Sequence, residues 1–103
     1  MKTIIWTDDK NKLKVKETFN KIKNHYQKAN IPIKEEINFR NIPRVTFVNG
    51  DICQVINLNN KNSYRGHKCE ISYIDTDLVF LDFPAIPMVQ IATVGKYPTI
   101  IYF

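Results

Sequence analysis

The sequence predicts a single small α/β domain, with a mixed twisted sheet, one long amphipathic helix and a β-hairpin. Apolar side chains recur at helical spacing between residues 10 and 29, and an Asn-Gly pair joins two β-rich runs. Further short apolar runs follow towards the end of the chain. Because 103 residues is close to the common domain size and suffices for one core, residues 1–103 are expected to form one domain.

The first thirty residues have the pattern of a strand followed by a helix. Residues 3–7, Thr-Ile-Ile-Trp-Thr, are expected to form a short buried strand. In the helix, Val15, Phe19, Ile22 and Tyr26 follow one another at spacings of four, three and four, which places them on one face.

Both ends of this helix have sequence signals. Asp8 or Asp9 is expected to cap the N-terminus, where a carboxylate also complements the helix dipole. The helix should end near Ala29-Asn30, because Pro32 disfavours helical geometry in the residue before it.

Residues 45–56 carry the strongest local signal in the chain. Asn49-Gly50 lies between two β-rich runs and predicts a hairpin with a two-residue type I′ turn, in which both turn residues need positive φ. The hairpin is expected to be covered on both sides, because both faces are mostly apolar. The two faces of that register are Val45, Phe47, Ile52 and Ile56 on one side, and Thr46, Val48, Cys53 and Val55 on the other.

Three more strands are expected in the second half of the chain. Residues 70–74 and 99–103 are short apolar runs, and residues 88–94 form another after Pro84 and Pro87. The expected order is therefore one strand, one helix and five strands. The predicted core consists of Ile5, Phe47, Ile52, Ile71, Tyr73, Ile91 and Ile101.

Composition limits the setting of the protein. The chain is 44% hydrophobic and 24% charged, which is typical of a globular protein and not of a disordered one. No apolar run reaches the roughly 18 residues of a membrane span, and the N-terminal apolar block is too short for a signal peptide. Cys53 and Cys69 lie in strand-like segments, outside any CxxC pair, as buried free thiols do. A cytoplasmic protein is expected.

The charge is unevenly placed along the chain. The net charge is +5, and seven of the fifteen basic residues are lysines between Lys10 and Lys28. Few glycines and many Ile, Asn and Lys indicate an AT-rich coding source, as in many phages and low-GC bacteria.

Acidic residues follow two of the predicted strands. Asp8 and Asp9 come after the first strand, and Asp75 and Asp77 come after residues 70–74. If these strands are parallel neighbours, their ends bring Asp8 or Asp9 near Asp75, and such carboxylates suit Mg²⁺. The alternative is that Asp8 caps a helix and Asp75 begins a turn, positions that favour aspartate without catalysis.

Histidine and cysteine give no complete catalytic set. His25 is expected to face solvent on the helix, and His67 and Cys69 to share one face of a beginning strand. Two such ligands do not make a zinc site. No GxSxG, HExxH or CxxC motif is present, so no catalytic residues, metal or cofactor are predicted.

Nucleic-acid binding is an alternative function. Lys14, Lys21 and Lys28 recur every seven residues on one helix face and could lie along phosphates. The alternative is that this lysine row is an ordinary solvated surface. Supporting residues for nucleic-acid binding would be Arg40, Arg44 and Arg65, with Phe39 and Tyr64 nearby.

The order of these features resembles the central part of the P-loop ATPase domains of phage terminase large subunits and related helicases. The matching elements are TIIWTDD, the helix at 10–29, Arg44 with VTFVNGDICQVINL, Arg65-Gly66, and EISYID ending at Asp75, within residues 3–94. The resemblance implies that Asp75 corresponds to a Mg²⁺-coordinating aspartate.

Two departures from that family decide the expected activity. No GxxxxGK[ST] phosphate loop is present, and Thr76 stands where the family has its catalytic glutamate. The resemblance therefore implies a truncated relative that keeps the scaffold and has lost ATP hydrolysis.

The leading hypothesis is a small non-enzymatic accessory protein, encoded by a phage or mobile element, that binds and modulates another protein of host or phage or forms a dimer. The final residues, Thr-Ile-Ile-Tyr-Phe, offer an edge strand for such pairing. The predicted protein-binding residues are Phe80, Phe83, Met88, Tyr97, Ile101 and Phe103, with Ile86 and Tyr102 beside them. A second alternative is a Mg²⁺-dependent nuclease or phosphatase that uses Asp8, Asp75 and Asp77.

Overall fold

The structure is a computed structural model that describes residues 1–8, 10–39, 42–58, 66–80 and 85–103. The elements in chain order are β1 (Lys2–Thr7), α1 (Lys12–Lys28), β2 (Ile33–Phe39), β3 (Ile42–Phe47), β4 (Ile52–Asn57), β5 (Ile71–Ile74), a 3₁₀ helix (Thr76–Phe80), α2 (Ala85–Ala92) and β6 (Thr99–Tyr102). The six strands form one mixed sheet in the order β2-β3-β4-β1-β5-β6, which confirms the predicted fold class.

The sheet has a parallel part and an antiparallel part. Strand β1 lies at the centre, parallel to β4 on one side and to β5 on the other, and β5 is parallel to β6. Strands β2, β3 and β4 form an antiparallel meander. Strand β1 and the 70–74 strand are parallel neighbours, with Trp6 beside Ile74, so the condition set for bringing Asp8 near Asp75 is met.

Helices cover the sheet from both sides, and each side has its own core. Ile5 points to the α1 side, and its neighbours Ile4 and Trp6 point to the α2 side. The α1-side core is Ile5, Val15, Phe19, Ile22, Tyr26, Val45, Phe47, Cys53 and Val55. The α2-side core is Ile4, Trp6, Ile56, Leu58, Cys69, Ile74, Leu78, Val89 and Ala92.

Helix α1 confirms the predicted apolar face and differs at its N-terminus. Its buried residues are the four predicted ones. It ends at Lys28, and Asn30 takes a positive φ of 60°, which closes the helix before Pro32. The N-cap residue is Asn11, so the prediction that Asp8 caps the helix is wrong; Asp9 lies outside the described residues.

The predicted hairpin forms between β3 and β4, with a longer loop than predicted. Val45 pairs with Cys53, so these two residues share a face, and the predicted register is wrong by one residue. The loop is a turn from Phe47 to Gly50, closed by a 2.9 Å bond from Gly50 N–H to Phe47 C=O. Only Gly50 of the Asn-Gly pair has positive φ, as in a three-residue loop ending in a glycine bulge.

The predicted strand at 88–94 is wrong, because most of that segment belongs to α2. A short apolar run does not distinguish a strand from a buried helix, and Pro87 is tolerated because it lies in the first helical turn. The exposed fraction of Ile91 is 69%, so its assignment to the core is also wrong.

The remaining core predictions have mixed outcomes. Ile5 and Phe47 are fully buried, as predicted. Ile52, Ile71 and Tyr73 are half-buried. Ile101 is 36% exposed because β6 is the last strand of the sheet, so that core assignment is wrong. None of the described helices is long and apolar enough to cross a membrane.

Candidate functional site

The carboxyl ends of β1 and β5 form the position where open parallel sheets usually bind ligands. The chain leaves β1 into α1 on one side of the sheet, and it leaves β5 towards α2 on the other side. A crevice opens where neighbouring connections diverge in this way. Asp8 follows β1 and Asp75 follows β5, and both side chains are buried.

Asp75 is tied to α1 by both of its carboxylate oxygens. Lys14 Nζ lies 3.2 Å from Oδ1, and Asn11 Nδ2 donates to Oδ2 at 3.1 Å. The backbone N–H of Asp77 donates to Oδ1 at 3.0 Å. Burial alone would raise the pKa of Asp75, but these donors and the Lys14 charge outweigh burial and hold the pKa below its ordinary value. Asp75 is therefore a charged carboxylate whose oxygens are already engaged.

The groups around Asp75 are linked to one another. The Asn11 amide also donates to Asp77, and Lys14 Nζ donates to Thr76 Oγ1 at 3.2 Å. Asp8 accepts from the Lys10 backbone N–H at 3.1 Å, and Lys10 Nζ lies 3.7 Å from its other oxygen. This arrangement joins the start of α1 to the end of β5.

The described part of the chain contains no group of three His, Cys, Asp or Glu side chains close enough to hold a metal ion. Asp8, Asp75 and Asp77, the proposed Mg²⁺ ligands, do not form such a group. At Asp75 a cation would have to displace the Lys14 ammonium and the Asn11 amide. The geometry of these residues suits a structural cross-link between α1 and β5.

The two cysteines are buried free thiols, as predicted. Burial raises the pKa of Cys53 to about 12 and also raises the pKa of Cys69. His25 is exposed on α1, as predicted. His67 is half-buried and lies outside the strands, so the prediction that it continues a strand face with Cys69 is wrong.

A second candidate region is the α1 side of β5 and β6. Helix α1 packs over β1 and β4, and the same face of β5 and β6 stays partly exposed. The side chains on this face, called here the β5–β6 face, are Ile71, Tyr73, Ile101 and Phe103. Parallel sheets are normally covered by helices on both faces. The β5–β6 face is therefore an apolar surface that is incompletely covered by the described residues.

A groove of about 600 Å³ runs between α1 and the β5–β6 face. Ile22, Ile31 and Tyr73 form part of its apolar wall, and Lys21 and His25 lie at its α1 rim. Tyr26 donates to Asp51 Oδ2 at 2.8 Å on the far side, and burial with this bond raises the pKa of Tyr26. The groove thus joins apolar walls to a basic rim on α1.

The two edges of the sheet differ in chemistry. Strand β2 carries Lys34, Glu35 and Glu36 and has a register shift near its start, features that discourage pairing with another strand. Strand β6 is Thr-Ile-Ile-Tyr, without a charged residue or proline. Of the two edges of the described sheet, the β6 edge is the one suited to pair with a further strand.

The predicted protein-binding residues divide between two sides of the sheet. Ile101 and Phe103 lie on the β5–β6 face, and Tyr97, 77% exposed, lies in the turn before β6. Met88 belongs to α2 on the opposite side and is half-buried. Phe83 and the side chain of Phe80 lie outside the described residues.

The predicted nucleic-acid residues that the structure describes lie on different sides of the sheet. Lys14 is paired with Asp75, whereas Lys21 and Lys28 are exposed. Arg44 lies on the α2 side of β3, because its neighbour Val45 points into the α1-side core. Arg40, Tyr64, Arg65 and the side chain of Phe39 lie outside the described residues.

Sequence reasoning missed the polar partners at the site. The sequence gives only a weak signal for Asn11, namely its position just before the helix. Comparison of the chain with protein-family models, with curated proteins and with solved structures finds no match. The geometry of the site is therefore the basis for assigning a function.

Proposed function

We propose that this chain is a non-enzymatic protein-binding module whose contact surface is the β5–β6 face with its adjoining groove. One observation carries this proposal: an apolar face of a parallel sheet is left half-exposed beside α1, where such sheets normally hold a second helix. Exposed apolar surface with a polar rim is typical of protein interaction sites.

The partner segment that fits this surface is an amphipathic helix with an acidic flank. Its apolar side would rest on Ile71, Tyr73 and Phe103, as a second helix of an α/β fold would. Its acidic side would face Lys21 at the rim, on the lysine-rich helix of a chain with net charge +5. Charge complementarity thus selects an acidic helix over a basic one.

The absence of catalysis is part of the proposal. It is supported by the state of Asp75, whose oxygens accept bonds from Lys14, Asn11 and Asp77. We also keep the P-loop ATPase ancestry, and with it a phage or mobile-element source, as a hypothesis. It is supported by the order of sequence elements and by the aspartate that ends EISYID.

Two designed peptides test the proposal directly. Both are helices of about 18 residues with the same leucine face, one flanked by glutamate and the other by lysine. The acidic peptide is expected to bind about tenfold more tightly, a difference of about 1.4 kcal/mol. Equal affinity for the two peptides, measured by fluorescence anisotropy, would contradict the proposed partner chemistry.

Matched charge reversals locate the binding surface. Lys21→Glu is expected to weaken binding of the acidic peptide several-fold, because Lys21 lies at the groove rim. Lys16→Glu makes the same charge change at an exposed position of α1 outside the groove, and it should have a much smaller effect. Equal losses in both variants would show non-specific electrostatic attraction.

Apolar contacts are tested by Ile101→Lys, which should abolish partner binding while the helix content measured by circular dichroism survives. Ile37→Lys is the matched control, since Ile37 is 43% exposed on the opposite edge strand. A pull-down from the native host with nuclease treatment then identifies a natural partner, with Ile101→Lys as the negative control. Partner capture that survives Ile101→Lys would exclude this surface.

Nucleic acid is the alternative outcome of the same experiments. Retention on DNA or RNA that falls steeply with salt and is lost on charge reversal of Lys14, Lys21 and Lys28 would favour that function.

A further inference from the structure

The backbone of β6 shows which of its groups point to the open edge. The N–H groups of Thr99 and Phe103 donate to Glu70 and Ile74 on the β5 side, at 2.9 and 3.1 Å. Because alternate residues of a strand direct their backbone groups to opposite sides, Ile100 and Tyr102 direct theirs to the open edge. These two residues offer two donors and two acceptors in a strand without charge.

We infer that two copies of this chain pair through β6, antiparallel, about a twofold axis at Ile101. In this register Ile100 of one copy lies opposite Tyr102 of the other, so every outward group of β6 is bonded. Centring the pair on Ile100 instead would place Tyr102 opposite Pro98, which has no N–H to donate. Of these two registers, the one centred on Ile101 uses both outward residues fully.

The side chains of β6 are self-complementary in that register. On the α1 side, Ile101 meets Ile101 of the second copy at the axis, and Phe103 lies opposite Thr99. On the α2 side, Ile100 lies opposite Tyr102, an aromatic and β-branched pair of the kind that stabilises antiparallel sheets. No pair across the axis brings like charges together. The side chains of a second copy therefore fit β6 without bringing like charges together at the strand pair.

The dimer would enlarge the proposed binding surface. The twofold axis of an antiparallel strand pair runs perpendicular to the sheet, so both α1 helices lie on the same side. The two β5–β6 faces then form one apolar trough four strands wide, about 20 Å at the usual strand spacing. Each wall of this trough carries Lys21 and His25 at its rim. This part of the inference rests on the proposed function, whereas the pairing itself does not.

The predicted association is modest and strengthens with salt. A pair of four-residue strands buries less surface than the roughly 1,200 Å² of a standard stable interface. Two chains with net charge +5 also repel each other, and added salt screens this repulsion. Dimerisation should therefore rise with ionic strength, the opposite of nucleic-acid binding.

Disulfide trapping of the full chain tests the register. Ile101→Cys places two thiols face to face on the axis, and because Cys53 and Cys69 are buried, the new thiol reacts alone. Rapid formation of a linked dimer with copper phenanthroline is expected. Tyr102→Cys is exposed on the same strand, but its two copies lie several ångströms further apart, so it should cross-link about tenfold more slowly.

Further variants separate specific pairing from random collision. Ile37→Cys, on the opposite edge, should cross-link as slowly as Tyr102→Cys. Without any new thiol, Ile101→Lys should lower the weight-average mass in sedimentation equilibrium, and Ile37→Lys should leave it unchanged. Circular dichroism checks that each variant is folded.

The inference is overturned if Ile101→Cys and Ile37→Cys cross-link at the same rate, or if the unmodified chain sediments as a monomer at every concentration and salt level. Its failure is distinct from failure of the proposed function. A monomer that binds the acidic peptide overturns only the dimer, and a trapped dimer that does not bind the peptide overturns only the proposed partner.

Discussion

Lys14 Nζ lies 3.2 Å from Oδ1 of Asp75 and connects the first turns of α1 to the end of β5. The carboxylate is fully buried, whereas the lysine side chain is 38% exposed, so solvent partly screens the ion pair. Removing the charge of Asp75 leaves Lys14 able to reach water. The pair is therefore expected to contribute moderately to stability.

Asp75→Asn is expected to lower the free energy of unfolding by about 1–3 kcal/mol at neutral pH, because it removes charge-assisted hydrogen bonds. The folded-state pKa of Asp75 lies below its ordinary value, so its contribution is present above the unfolded pKa of about 3.9. The contribution is lost as pH falls through the folded-state pKa. In urea denaturation at a series of pH values, the free energies of unfolding of wild type and variant should become equal in acid.

Asp77→Asn serves as the control for Asp75→Asn, since it removes the same charge from an exposed side chain. It should cost much less stability. If the difference in free energy of unfolding between wild type and Asp75→Asn became larger in acid, the structural role of the ion pair would be contradicted.

Millimolar Mg²⁺ or Mn²⁺ is expected to leave the melting temperature of the wild-type chain unchanged. The reason is that Lys14 and Asn11 already engage both oxygens of Asp75. Differential scanning fluorimetry with and without each metal measures this. Metal-dependent stabilisation that disappears in Asp75→Asn would support the nuclease or phosphatase alternative.

Both native thiols should be inert towards an aromatic disulfide reagent in the folded protein and react fully in urea. Burial holds the pKa of Cys53 at about 12, so very little thiolate exists at neutral pH. The labelling rate should follow the opening of the fold, and it should rise as urea increases the population of the open form. Fast labelling of Cys53 under native conditions would show that β4 is accessible.

Gly50→Ala should lower the free energy of unfolding by about 1 kcal/mol, through backbone strain alone. Gly50 has a φ of 92°, and a methyl group there would meet open space. Gly50→Asn should cost less, because asparagine tolerates positive φ better. Val48→Ala, at an exposed loop position, is the control. A lower melting temperature for Gly50→Asn than for Gly50→Ala would argue against the glycine bulge.

Ser72→Ala should destabilise the fold by about 1–3 kcal/mol, because it leaves the buried Trp6 Nε1 donor without its acceptor. Trp6 Nε1 donates to Ser72 Oγ at 3.0 Å, and Thr93 Oγ1 lies 2.6 Å from the same oxygen. Ser72→Thr keeps the hydroxyl and should retain more of the Trp6 bond. The change is measured by urea denaturation and by Trp6 fluorescence, and an unaltered midpoint for Ser72→Ala would refute it.

Local patterns predict the parts of the fold in which short-range and long-range preferences agree. The four apolar residues of α1 and the Asn-Gly hairpin are such cases, because periodicity and turn chemistry act within a few residues. Short apolar runs that end in aspartate indicated two strands, but their parallel pairing is a finding of the structure. The amino-acid sequence by itself identifies Asp8 and Asp75 as residues that follow strands, and the strand pairing then places them at the same end of the sheet.

The predictions were wrong where contacts between residues far apart in sequence determine the structure. An Asn-Gly pair occurs both in type I′ turns and in loops that end in a glycine bulge, so the pair alone does not determine the register. The bulged loop of this chain places Val45 and Cys53 together in the α1-side core. The apolar run at residues 88–94 fits a strand and a helix equally well. The exposure of Ile101 depends on β6 being an edge, which requires the strand order. The bonds from Asn11 and Lys14 to Asp75 join segments far apart in sequence and leave no local signal.

The central position of β1 has a consequence for how the chain folds. Ile5 pairs with Val55 and with Tyr73, so the middle of the sheet closes only after most of the sequence has been synthesised. The β2–β3–β4 meander consists of near neighbours and can assemble early. Until β1 is enclosed, the strands that flank it expose unpaired edges. We therefore expect refolding to be slow and sensitive to protein concentration, with the meander protected from hydrogen exchange first and β6 last.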